Sequence, residues 1–394
     1  MSKPLKIAIY TGVLPNTTFI ENLILGVAEE HQVLLFGTPK KRLRYNHPNI
    51  QVIPTPASSL HNGMLTLWRG LRLVVKSPKL LHVAIREAKR YPSLYTKWMR
   101  FSRFVPVLLY QPDVFHLQWS SRIDRWLFLK DAYPCRFIVS VLGSQLLVEP
   151  HYNTALTLRY SKGFPKVDAI HAVSNDLAQQ AIVYGALPER VQVIRTPVPQ
   201  AAFTCYQESR QIRLANSLHL VSVGRHHWVK GYGYAISAVQ ALRELGITVR
   251  YTIIAEGAIP ETLLYQVHDL GLTDVVTFKS GLPQDALFSE MLRYDALVLP
   301  SVSEGIANVV VEAMAIGLPV ISSNCGGMPE VVHDGETGLL FAMRNVDAIV
   351  AACQRFMALS EAEVLEMLRQ AHELVKREYH EAENVARMVD LYVG

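Results

Sequence analysis

Short apolar runs alternate with longer amphipathic stretches along almost the whole chain, and the series starts twice. In the first half, residues 7–10, 33–36, 51–54, 114–118, 137–141, 169–173 and 191–194 are apolar runs of strand length. Residues 19–30 and 175–184 predict helices, and a turn-rich loop is expected at 11–18. Residues 64–109 predict two or three more, interrupted at Pro78 and Pro92. Leu81, Ala84, Ala88 and Tyr91 recur there at helical spacing, as do Leu94, Trp98, Phe101, Val105 and Leu108. The second series has strands at 218–223, 249–255, 275–278, 295–299 and 319–322, with amphipathic helices such as 233–245 between them. Alternation of this kind predicts an α/β fold whose parallel sheets are covered on both faces. The pattern divides into a first domain over 1–200, a polar linker over 201–217 opened by the Pro197 and Pro199 turn, and a second domain over 218–380. A last helix within 381–394 has a fresh apolar stripe.

Length agrees with this division. With 394 residues, half of them hydrophobic, the chain buries two cores of domains near 200 residues each. Cys135, Cys205, Cys325 and Cys353 are scattered without a Cys-x-x-Cys pair, which argues against a disulfide framework or structural zinc and suits a reducing cytoplasm. The start of the chain runs directly into the first strand and predicts no signal peptide. No eighteen-residue stretch lacks polar interruption, so no transmembrane helix is expected. Net charge is +5, but residues 1–200 carry 25 Lys+Arg against 11 Asp+Glu, whereas residues 201–394 carry 14 against 23. Within 64–104, ten basic residues face only Glu87.

Two acids eight positions apart carry the most chemistry. Residues 295–300 read as a buried strand, and the small apolar stretch after Glu304 as a helix through Glu312 to Ile316, stopped at Gly317-Leu318-Pro319. Eight helical residues rise at most about 12 Å, roughly the span from a nucleotide's ribose across its diphosphate to an attached sugar. A helix N-terminus between the acids suits the diphosphate, and ligands of open α/β sheets sit beyond the strands' carboxyl ends. From spacing alone such a pair is more often just a helix-end acid and a solvated one. Against that, Glu312 interrupts an apolar run, where an unpaired carboxylate is costly to bury. After residues 218–223 come Arg225 and Lys230, two cations five apart on one loop, which can converge on a diphosphate. Solvated loop cations would look the same. No Gly-x-x-x-x-Gly-Lys-Ser/Thr loop occurs, so a P-loop ATPase is unsupported.

The surrounding residues match a family pattern. Glu304-Gly305 with Asn308, Glu312-Ala313-Met314-Ala315, Gly317-Leu318-Pro319-Val320, Gly326-Gly327-Met328-Pro329-Glu330 and Asp334-Gly335-Glu336-Thr337-Gly338-Leu339-Leu340 closely resemble the donor-site signature of retaining glycosyltransferase family 4, the glycosyl transferases group 1. The resemblance implies the GT-B architecture, two Rossmann-like domains facing a cleft, with the last helix crossing back to the first. It implies that Arg225 and Lys230 hold the diphosphate and stabilise its departure. Glu312 would bind the ribose, and Glu304 would lie near the transferred sugar. Backbone from Gly305, Ile306, Ala307, Asn308 and Val309 would line the donor, and Gly281 would border the base. No Asp-x-Asp pair occurs, so a metal-independent reaction is expected, without a cofactor, the nucleotide-sugar being a substrate.

The acceptor side is less legible. Gly12 opens the loop expected before the first helix, and His116 ends a strand in a pattern resembling Pro-Asp-Val-x-His of the family. A strand-end histidine is also an ordinary structural feature. Leu142-Gly143 stands where many members have His-Gly, and leucine can neither donate nor accept a proton. Ser144 and Gln145 remain as polar contacts there. The basic helices at 64–104 read either as solvated faces or as a peripheral contact with anionic membrane. Nucleic acid is not expected. The expectation is thus a retaining hexosyltransferase-type enzyme of the cytoplasm, at the inner face of the cell membrane. It would move a sugar from a nucleotide-sugar to a glycan or lipid-linked acceptor in bacterial surface polysaccharide or glycolipid synthesis. A sugar-nucleotide epimerase on the same fold and a catalytically degenerate binding partner are the alternatives.

Overall fold

The computed structural model describes residues 4–15, 17–40, 45–208 and 217–394. The first three residues, Asn16 of the expected Gly12 loop, and residues 209–216 of the expected linker lie outside them. The chain divides into two compact units. The first comprises Met1–Ala172, Ala178–Ile194 and Val385–Gly394, and the second Val173–Leu177 with Arg195–Asn384.

The first unit is built on seven parallel strands: β1 (Lys6–Leu14), β2 (Gln32–Pro39), β3 (Ile50–Pro54), β4 (Val114–Leu117), β5 (Arg136–Val141), β6 (Ala169–Ala172) and β7 (Val191–Val193). Their order is β3-β2-β1-β4-β5-β6-β7, so the sheet grows outward in both directions from β1 and β4. Helices α1 (Thr18–Ala28), α2 (Ser59–Lys76), α3 (Pro78–Lys89) and α4 (Leu94–Tyr110) lie in the first half of this unit. Pro78 opens α3 at a position where no N–H is needed, and Pro92 lies in the turn before α4. One face of the sheet packs Ile7, Ile9, Val33 and Leu35 against α1 and against Met388, Leu391 and Tyr392 of the last helix, Glu381–Val393. On the other face Tyr10, Phe115 and Phe137 pack with Trp126, Phe104 and Phe128.

The second unit repeats the plan with β8 (Ser217–Arg225), β9 (Thr248–Glu256), β10 (Val276–Ser280), β11 (Ala296–Leu299), β12 (Val320–Ser323) and β13 (Leu339–Phe341), in the order β10-β9-β8-β11-β12-β13. One face packs on helices Tyr232–Glu244 and Val346–Ala358, the other on Asn308–Ile316 and Glu361–Glu378. Strands β11 and β12 are buried along their whole length, as a sheet covered on both faces requires. Both sheets are thus Rossmann-like and parallel throughout.

Several boundaries differ from the sequence expectation. Strand β1 continues through residues 11–14, because those residues pair with β2 across a register shift at Tyr10/Gly12. The helix expected directly after Glu304 begins only at Asn308. The expected linker opens with a short helix, Gln200–Phe203. Strand β13 is three residues long, too short to show any alternation.

Candidate functional site

In an open parallel sheet the strand order reverses at one place, and loops leaving the two strands there diverge and open a crevice. In the second unit those strands are β8 and β11, which pair through Leu220–Ala296 and Val221–Leu297. Arg225 is the last residue of β8, and Lys230 follows one short turn later. Beyond β11 comes the loop 300–307, which carries Glu304 and leads into helix Asn308–Ile316.

This loop is clamped from three sides. Val302 donates its N–H to Val229 O (2.8 Å), and Ser323 Oγ donates to Ser301 O (2.6 Å). Gly231, at φ +63°, lies so close beneath the loop that a Cβ would land on the carbonyl oxygen of Pro300. Gly326, at φ +52°, does the same against Glu304 O, and the Gly327 N–H donates to that carbonyl (3.3 Å). Only glycine combines that backbone conformation with such an approach. The result is a rigid platform for one carboxylate. Glu304 Oε1 accepts from Lys230 Nζ and from Ser301 Oγ, each at 2.8 Å. Its Oε2 has no hydrogen-bond partner among the described residues.

The cationic side is half open. Arg225 is exposed and forms no ion pair among the described residues. Lys230 is partly buried, its stem crossing Gly224, where a Cβ would stand 3.1 Å from Lys230 Cε. The same Cβ would stand 2.9 Å from the Tyr232 hydroxyl, which is buried and unpartnered. Burial and, after it, the nearby Glu304 charge push the Tyr232 phenol above its ordinary range. Tyr232 had no signal in the sequence, since an orphaned hydroxyl is a property of packing alone.

Helix Asn308–Ile316 starts from Ala307, whose side chain cannot cap it, so no side chain closes its positive end. Glu312 sits on the second turn, where Gln284 Nε2 donates to its Oε1 (3.0 Å). Burial raises the Glu312 carboxyl above its ordinary range, and the Gln284 bond offsets this only in part. Because helix begins only at Asn308, the helical rise toward Glu312 is about 6 Å rather than about 12 Å. Gly305, Ile306 and Ala307 are buried in the loop, and the Ala307 N–H points at Met328 Sδ (3.5 Å). Asn308 is partly exposed, and Val309 is turned into the core. Gly281 follows β10, two strands from β8, against Glu256.

Other parts of the signature stretch are occupied structurally. Glu330 accepts from the backbone N–H of Asn175 and Asp176 and from Arg195 Nη1 (3.0, 2.9 and 2.8 Å). Burial works against that charge, but these donors outweigh it and hold the carboxyl below its usual range. Asp334 pairs with Arg355 and accepts from Leu340 N. Among the described residues no three His, Cys, Asp or Glu side chains converge as a metal site would require.

In the first unit the outcome for the acceptor-side residues is mixed. Gly12 lies within β1, not in a loop, with a position for Cβ 3.2 Å from Arg122 Nη1. Ser144 is exposed and Gln145 partly so, at the start of the turn after β5, beside a partly buried Leu142. His116 must be corrected: it is completely buried and cannot touch a ligand. Its Nδ1 lies 2.7 Å from the Tyr392 hydroxyl and its Nε2 2.7 Å from Ser140 Oγ. Ser140 in turn meets His171 Nδ1 (2.9 Å), and His171 Nε2 meets Ile194 O (2.9 Å). A carbonyl only accepts, so His171 donates from Nε2, Ser140 donates to His171, His116 donates to Ser140, and Tyr392 donates to His116. This order of donors gives each ring one proton, the neutral form that burial favours. Burial lowers the pKa of both, that of His171 to about 4 and that of His116 well below its ordinary value.

Residues 207–374 match the family described as glycosyl transferases group 1. The putative colanic acid biosynthesis glycosyltransferase WcaL of Salmonella typhimurium is 27% identical over 232 residues, 57% of this chain and 56% of the relative. The amylovoran biosynthesis glycosyltransferase AmsK of Erwinia amylovora is 28% identical over 232 residues, 56% of this chain and 55% of its own length. The chain thus spans about half the length of the curated relatives it matches. Among solved structures, sucrose-phosphate synthase from Thermosynechococcus elongatus superposes with TM-score 0.76 at 17% identity, covering 99% of this chain and 98% of that one. Anabaena HepE in complex with UDP and glucose superposes with TM-score 0.71 at 15% identity, over 98% of each chain. These likenesses carry the GT-B fold.

Proposed function

We propose that this chain, whose residues 207–374 are a glycosyl transferases group 1 segment, transfers a sugar from a nucleoside diphosphate sugar to a glycan or lipid-linked acceptor, with retention at the anomeric carbon and without a metal. The observation that carries the reading is the Lys230–Glu304–Ser301 cluster at the switch point of the second sheet, with Arg225 unpaired beside it. Until donor arrives, Glu304 neutralises Lys230. A bound diphosphate competes for that ammonium, while Arg225 offers its planar fork and helix Asn308–Ile316 its uncapped N-terminus. The positive charge needed by the departing diphosphate is then fixed before the reaction begins. Glu312 accepts from the ribose hydroxyls, and Glu304 turns its free Oε2 toward the sugar. The acceptor hydroxyl forms the new bond to the anomeric carbon as the diphosphate leaves and takes up the hydroxyl proton. That route needs no histidine at Leu142.

The names of WcaL and AmsK support surface polysaccharide synthesis as the setting, and the UDP and glucose held by HepE support a nucleotide-sugar donor. A thermal-shift panel with UDP, GDP, ADP, CMP and dTDP, without added metal, tests the reading. One nucleotide at a hundred times its dissociation constant should stabilise the protein by about 2.7 kcal/mol. No response to any, with or without Mg²⁺, would refute the donor site.

A further inference from the structure

A surface helix ordinarily turns its apolar stripe inward and its polar residues outward. Helix α2 does the reverse. Its buried positions are Asn62, Thr66, Arg69 and Leu73, three of them polar. Its exposed stripe is Leu60, Met64, Leu67, Trp68, Leu71 and Val75, with exposures from 51% at Trp68 to 89% at Val75. Of the inward polar groups, Arg69 Nη1 donates to Pro54 O (2.8 Å), while Thr66 Oγ1 donates to Asn62 Oδ1 within the helix (3.3 Å) and Arg69 Nε is buried without a partner. The helix is held in this orientation by Arg69 to Pro54 O and by Lys76 Nζ, which donates to Leu109 O (2.8 Å), and the apolar stripe is left facing outward along about four turns. A continuous apolar patch of this kind marks an interaction surface.

We infer that α2 docks the first unit on an anionic lipid surface, the stripe entering the acyl boundary while the surrounding cations meet the headgroups. Charge decides between the candidate occupants. Of the ten Lys+Arg in residues 64–104, Arg72, Lys76, Lys79, Arg86, Lys89 and Arg90 are exposed, and the one acid, Glu87, is already held by Arg86 and Arg90. A second copy packed on the stripe would bring that positive field against itself, whereas an anionic bilayer neutralises it. Trp68 lies on the stripe with the Arg72 guanidinium 4.7 Å from its ring centre. An aromatic body beside a charged head is the arrangement favoured at the headgroup level. No described helix is long and apolar enough to cross a membrane, so α2 would lie in the interface plane. This inference does not depend on the donor-site reading.

Flotation of the full chain with phosphatidylcholine vesicles, with and without phosphatidylglycerol, at physiological salt is the test. Binding is expected only to the anionic vesicles, with a blue shift and bromolipid quenching of tryptophan emission that Trp68→Phe removes. The double variant Leu67→Ser/Leu71→Ser should bind about tenfold more weakly or less. Both positions are exposed, so the fold stands, and an unchanged nucleotide thermal shift would separate this result from any failure of the donor site. Equal binding to neutral vesicles, undiminished binding by the double variant, or dimerisation without lipid that the double variant abolishes would each overturn the inference.

Discussion

The two units place polar side chains on similar sheets and use them in opposite ways. On β4, β5 and β6 of the first unit, His116, Ser140 and His171 form a closed relay from Tyr392 to Ile194 O, in which every ring nitrogen has a partner. After β8 and β11 of the second unit, Lys230, Glu304 and Ser301 make a cluster that ends in a free carboxylate oxygen, with an unpaired guanidinium and an orphaned phenol nearby. Burial of a completed network yields specificity of structure. Leaving donors and acceptors unspent costs stability and is what a ligand site needs. Completeness of hydrogen bonding, more than residue type, separates the closed histidine relay from the open Glu304 cluster.

The sharpest way to break this comparison is to remove one partner from the open cluster. Lys230→Ala and Glu304→Ala should each lower transfer by about 10²–10³-fold, the cost of deleting one preorganised electrostatic contact. Thermal unfolding of the second unit should hardly change, because the pair is partly exposed. Steady-state transfer rates beside melting curves check this, and wild-type turnover in both variants would remove the assigned roles. A smaller effect is expected from Gly326→Ala. Its Cβ would collide with Glu304 O at a positive φ, which should destabilise the unit by about 1–3 kcal/mol. Nucleotide binding should weaken with it, as the loop under Glu304 shifts, and paired melting and binding titrations would show whether the two losses travel together.

The sequence revealed the alternation and the two sheets, and singled out Glu304 and Glu312, because these rest on local periodicity and on short contiguous motifs. It could not separate Glu304 from Glu330, which lie in one signature stretch. One keeps a free oxygen, while the other is consumed in holding Asn175, Asp176 and Arg195. His116 looked like an acceptor contact for the same reason. Its partners Ser140, His171 and Tyr392 are distant in sequence, up to 276 positions away. Gln284 and Tyr232 gave no signal, since each matters only through what the fold sets beside it. The inverted face of α2 was equally hidden, because periodicity shows that a helix has two faces but not which one is turned inward.

The closed network should reveal itself through pH. His116 and His171 are held neutral by burial, with folded pKa values below that of a free histidine. The unfolded chain therefore binds more protons below about pH 6.5, and stability present above that value is lost as pH falls toward the folded pKa of His171, about 4. Each ring should contribute a slope of at most about 1.4 kcal/mol per pH unit. Hydrogen exchange in β4 to β6 should accelerate through this window, and Tyr392→Phe should accelerate it at every pH. Unchanged protection down to about pH 4.5 would mean that the relay is not closed.

Glu312 sharpens the contrast most finely, because the proposed ribose contact and the burial of its carboxyl make opposite demands on one side chain. Burial raises its folded pKa, so the native state holds that proton more tightly than the unfolded chain does. Its contribution to stability is fully present below the ordinary carboxyl pKa and is lost as pH rises through the raised one. At neutral pH the buried charge is therefore a liability, met by a single bond from Gln284. Glu312→Gln should stabilise the unliganded protein by a few tenths to about 1 kcal/mol at neutral pH, and the gain should vanish on acidification through the raised pKa. The same substitution should weaken nucleotide binding about ten- to a hundredfold, the worth of a charge-assisted hydrogen bond to the ribose. Melting curves across pH with and without nucleotide would read both effects at once. A variant that is more stable yet binds less marks a residue kept for its ligand, whereas a loss of stability at neutral pH would place Glu312 with the closed network instead.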